Sequence, residues 1–63
     1  MKKIDKYLDL MNRGVILEVD TPHEWVRITN KEHLVKAVEN NCIIRALPSK
    51  DVSATEIALT LSK

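Results

Sequence analysis

Residues 15–29, VILEVDTPHEWVRIT, decide the fold. Val15, Leu17 and Val19 alternate with Ile16, Glu18 and Asp20. A period of two is that of a strand, whose successive side chains point to opposite faces. Thr21, Pro22 and His23 interrupt the run: Asp20 can accept a local backbone hydrogen bond, and Pro22 pre-sets φ for a turn. Residues 24–29 then alternate again, with Val26 and Ile28 on one face and Trp25, Arg27 and Thr29 on the other. Two alternating runs around a turn predict an antiparallel hairpin.

Upstream, Ile4, Tyr7, Leu8 and Met11 fall at i, i+3, i+4 and i+7, which predicts a helix over 3–12 with one apolar stripe. Gly14, the only glycine of the chain, follows as the natural left-handed stop. Downstream, Thr29 and Glu32 have capping-box spacing, and a second helix over 30–39 carries Leu34, Val35 and Val38, with Ala37 at an edge. Asn40 and Asn41 end it, since Asn tolerates the left-handed cap. Residues 42–47, CIIRAL, form a third strand, broken by Pro48, Ser49, Lys50 and Asp51.

The tail admits two forms. As a helix it has a capping box from Ser53 to Glu56 and a stripe of Ala54, Ile57, Ala58 and Leu61, but leaves Leu59 off that stripe. As a strand, Ile57, Leu59 and Leu61 alternate with Ala58, Thr60 and Ser62, and nothing apolar is misplaced. A fourth strand is therefore expected, with a C-terminal helix as the alternative. The fold class is α+β: one domain over 1–63, a small antiparallel sheet with two helices on one face, in the order α-β-β-α-β and then the tail.

At 63 residues the chain buries only about 60% of the surface its unfolded form exposes. With no Phe, one Trp and one Tyr, its core is aliphatic. Cys42 is the only cysteine, so no disulfide closes the fold, and the usage fits a reducing, cytoplasmic setting. Small domains without staples gain stability by self-association. A symmetric homodimer is expected, with the tail or the outer sheet face at its interface. A net charge of +1 sets up no global field toward nucleic acid or anionic lipid. No apolar run approaches the ~18 residues of a membrane span.

Few residues carry chemistry. His23, His33, Cys42, Asp20 and Glu24 are possible ligands, yet none stand at a metal-site spacing, and no metal or cofactor is expected. Cys42 opens an apolar strand, where a buried, inert thiol is the rule. Glu18, Asp20 and Glu24 cluster at a solvated hairpin tip, whereas acid–base work needs carboxylates in a cleft, and no glycine-rich phosphate loop exists. The chain is expected not to be an enzyme. Arg13, Arg27, Lys36, Arg45 and Lys50 form a nucleic-acid surface only if the fold gathers them beside Trp25.

Protein recognition is the expectation. Trp and Arg dominate binding energy at interfaces, and Trp25 and Arg27 share a strand face two residues apart. If Val26 and Ile28 face the helices, Trp25 stands on the outer face with Ile16 beside it; otherwise Trp25 is the largest core residue. The binding set is Trp25, Arg27, Ile16 and Arg45.

The helix ending in Asn12-Arg13-Gly14-Val15-Ile16, then Glu24-Trp25-Val26-Arg27-Ile28, then Cys42-Ile43-Ile44-Arg45 before Pro48, resembles small, mostly uncharacterised proteins encoded by bacteriophages and prophages. The resemblance implies a strand after the Pro and a role against a host protein. It assigns no functional residues. The function expected is a small non-catalytic protein-binding module. The alternative is a nucleic-acid or nucleotide binder using Arg27, Arg45 and Trp25.

Overall fold

The computed structural model describes residues 2–63. Among them the chain forms α1 (Lys3–Asn12), β1 (Ile16–Asp20), β2 (Trp25–Arg27), α2 (Lys31–Glu39), β3 (Ile44–Leu47) and α3 (Ala54–Ser62). The strands form one antiparallel sheet in the order β2-β1-β3. The class is α+β, with three helices rather than two.

The hairpin pairs Glu18 with Arg27 and Asp20 with Trp25, and β3 adds the pairs Leu17–Ala46 and Glu18–Arg45. Partners across a sheet share a face. Leu17 and Val19 thus sit with Ala46, Ile44 and Val26 against the helices. Glu18 and Asp20 stand with Trp25, Arg27 and Arg45 on the other side. The core consists of Tyr7, Leu10, Val15, Leu17, Val19, Ile28, Leu34, Ala37, Val52 and Ile57. Leu10, which lies beside the stripe expected for α1, is fully buried. The helix turns Tyr7 and Leu10 toward the sheet, while Ile4 and Leu8 are only partly covered.

α1 and α2 stop the same way. At α1, Gly14 takes φ 91°, its N–H donates to the Met11 carbonyl, and the Val15 N–H donates to the Leu10 carbonyl at 3.0 Å. At α2, Asn41 takes φ 56°, its N–H donates to the Val38 carbonyl, and the Cys42 N–H donates to the Ala37 carbonyl at 3.0 Å. These are Schellman closures, which satisfy orphan carbonyls and reverse the chain at once. The first of them folds α1 back over β1.

Two expectations are corrected. The α2 cap is Asn30, whose side chain accepts from the His33 N–H at 2.8 Å, and not Thr29, one residue earlier. The fourth strand does not form. Ser53 caps α3 by accepting from the Glu56 N–H, and the Ser49–Val52 turn before it buries Val52. As a helix the tail lays Ile57, Thr60 and Leu61 toward α1, where the Arg13 guanidinium donates to the Thr60 hydroxyl at 2.7 Å. Lys6 Nζ donates to the Leu61 carbonyl at 3.2 Å, and Arg13 lies 3.8 Å from Glu56. Lys6 in α1 and Arg13 just past its end thus both reach α3. The cost is Leu59, left 58% exposed.

Two outcomes test this architecture. A Cβ at Gly14 meets no atom within 4 Å, so Gly14→Ala isolates the backbone penalty of positive φ. It is expected to lower stability by about 1–2 kcal/mol in urea titration. Burial holds the Tyr7 phenol above its ordinary value of 10.0. The fold favours the neutral phenol, so its contribution is intact below pH 10 and is lost as pH rises through the higher folded value. Urea midpoints measured on either side of pH 10 are expected to fall more steeply for the natural chain than for Tyr7→Phe.

Candidate functional site

Helices cover one face of the sheet and leave the other open. Period-two alternation assigns that open face before any contact forms: Ile16, Glu18 and Asp20 from β1, Trp25 and Arg27 from β2, Arg45 and Leu47 from β3. The Asp20 N–H donates to the Ile43 carbonyl at 2.9 Å, which carries the ladder one step past β3 and places Ile43 on the same face, 66% exposed.

A charged band crosses the middle strand. Glu18 stands between Arg27 and Arg45 in register. Arg45 Nε donates to Glu18 Oε1 at 2.7 Å, and its Nη2 reaches the same oxygen. The guanidinium extends over β1 until its central carbon lies 4.1 Å from the centre of the Trp25 ring. The arginine is thus held from two sides, by the carboxylate and by the face of the indole. A half-exposed ion pair contributes about 0–1 kcal/mol. An exposed cation–π contact adds about 0.5–1 kcal/mol. Their main effect is to fix the orientation of Trp25, which stays half-buried. Arg27 is exposed and makes no ion pair among the described residues, since Glu18 is taken by Arg45. Ile16 and Leu47 pair at one end of the band, and Trp25 and Ile43 flank the other.

The four residues expected to bind, Trp25, Arg27, Ile16 and Arg45, therefore share one face. Ile43, Leu47 and Glu18 belong there too. Their signal was register: once β3 lies antiparallel to β1, residues 43, 45 and 47 alternate onto the outer side.

The larger basic cluster does not assemble. Arg13 is tied to Asp9 at 3.3 Å, to Glu56 and to Thr60 within the helical layer, Lys36 lies on α2 and Lys50 in the turn before α3. No three His, Cys, Asp or Glu side chains among the described residues stand close enough to hold a metal. Glu24 sits in the exposed hairpin turn, where its N–H donates to the Thr21 hydroxyl at 3.0 Å. Cys42 is partly buried beside the core. No helix among the described residues is long and apolar enough to cross a membrane. Family models, curated proteins and solved structures give no match to the chain.

Arg45→Ala removes the ion pair and the cation–π contact together. It is expected to cost about 1 kcal/mol in a thermal melt and to shift the Trp25 indole N–H resonance. Arg27→Ala is expected to stay within about 0.5 kcal/mol of the natural chain and to leave that resonance in place.

Proposed function

We propose that this chain is a small, non-catalytic protein-binding module that docks on another protein through the open face of its sheet and works as a homo-oligomer. One observation supports the reading above the others: Trp25 is part-exposed and already oriented, under the Arg45 guanidinium that Glu18 anchors. Trp and Arg are the side chains that concentrate binding energy at interfaces. Ordering them before contact removes an entropic cost of about 0.5–1.5 kcal/mol per side chain at the moment of binding. Ile16, Ile43 and Leu47 supply apolar area around them, and Arg27 supplies a cation free to pair with a partner's carboxylate.

The resemblance to phage- and prophage-encoded proteins makes a host protein the proposed target. The lone Cys42 fits a reducing compartment, so the cytoplasm is the proposed location. No cofactor enters the proposal. A nucleic-acid or nucleotide ligand is the second reading, favoured by Arg27, Arg45 and Trp25 sharing a face. Glu18 and Asp20 on that same face weigh against it, because they offset both arginines near a phosphate backbone.

Affinity capture from host-cell lysate, beside thermal melts, tests the proposal. Trp25→Ala is expected to remain folded, within about 1 kcal/mol of the natural chain, and to lose the captured protein, as is Arg27→Ala. Lys50→Ala, on a turn outside the face, is expected to retain it. Collapse of the fold in Trp25→Ala with capture preserved in Arg27→Ala contradicts the proposal. Capture of nucleic acid, weakening steeply with salt, replaces it with the second reading.

A further inference from the structure

The helical layer has a surface of its own, and between α1 and α2 that surface is grooved. Ile4 and Leu8 from α1 and Val35 and Val38 from α2 line a groove of about 830 Å³. None of the four is fully buried. Tyr7, Leu10, Leu34 and Ala37 are buried in the core, Ile4, Leu8 and Val38 pack against it and stay partly exposed, and Val35 lies outside that cluster.

The α2 side of this groove is self-complementary in charge. Lys31, Val35 and Glu39 all line it, and they stand four residues apart on one row of the helix. A two-fold axis through Val35 lays α2 antiparallel on its copy, by the i±4 rows that helices use to interdigitate. Lys31 of each chain then faces Glu39 of the other, with the valines in the centre. Both Lys31 and Glu39 are exposed and make no ion pair within the chain among the described residues.

We infer that the α1/α2 groove is the surface on which a second copy of this chain docks, through an antiparallel α2–α2 contact centred on Val35. The inference rests on the homo-oligomer proposed above and moves its interface away from both the tail and the sheet. The helical layer lies opposite the open sheet face, so pairing through it turns two Trp25 faces outward on opposite sides. The dimer then presents two binding faces, and a multivalent partner gains avidity without any new contact.

Sedimentation equilibrium of the full chain at tens of micromolar tests this. The natural chain is expected to sediment as a dimer. Val35→Glu places a charge at the axis on a partly exposed position, and is expected to raise the dimer dissociation constant at least about tenfold while circular dichroism stays unchanged. Lys31→Glu and Glu39→Lys, both at exposed positions, are each expected to weaken the dimer, because like charges then meet across the axis. Mixed in equal amounts, those two variants are expected to recover a heterodimer, since each supplies the charge the other lacks. A monomer mass at every accessible concentration overturns both self-association and its location. A dimer that survives Val35→Glu and Lys31→Glu but dissociates with Ile43→Glu overturns the location alone and assigns the contact to the sheet face.

Discussion

Leu17 and Glu18 are neighbours in the chain and stand on opposite faces of the middle strand. Leu17 is 1% exposed in the core, and Glu18 anchors the arginine that lies over Trp25. Core and candidate site are thus two sides of the same peptide plane. β1 is paired along both edges, so its backbone groups are satisfied and its register is fixed. A slip of one residue would exchange the faces, placing Glu18 in the core and Leu17 outside. A buried carboxylate without a partner costs far more than this small domain can offset. The hydrophobic demand of one face therefore dictates where every polar group of the other face stands.

The helix ends convert that alternation into a layered molecule. Gly14 and Asn41 both take positive φ, and each ends its helix and turns the chain toward the following strand. The third helix reaches the same layer by a longer path through the Ser49–Val52 turn. All three lie on one side, over the row of Leu17, Val19, Ile44 and Ala46. No element among the described residues covers the second face. Its exposed Ile43 and part-exposed Trp25 are what makes the face a candidate for recognition.

The legible features were the local ones. Alternation in residues 15–29, the single glycine and the paired asparagines all act within a few residues, so the hairpin, both helix stops and the shared face of Trp25 and Arg27 could be read directly. Asn30 displaced Thr29 as cap because both have capping side chains, and only the backbone path selects between them. Residues 53–62 carried a correct capping signal at Ser53, but Leu59 argued for a strand. The helix forms because packing against Arg13 and Lys6, 47 and 55 residues away in the chain, outweighs one exposed leucine. The reach of Arg45 across β1 to Trp25 has no local signature, since it depends on the order β2-β1-β3. The groove between α1 and α2, with Val35 outside the core cluster, became visible only once Leu10 and Leu34 were found to fill the core.

Trp25 is the sole tryptophan, so its fluorescence reports on the open face without interference. Acrylamide quenching of the native chain at submicromolar concentration bears most directly on the two-sided sheet. Quenching intermediate between that of the unfolded chain and that of a core indole is expected, rising in Arg45→Ala as the covering guanidinium is removed. A native Trp25 that acrylamide does not reach until the chain unfolds would place the indole in the core and contradict the assignment of the two faces.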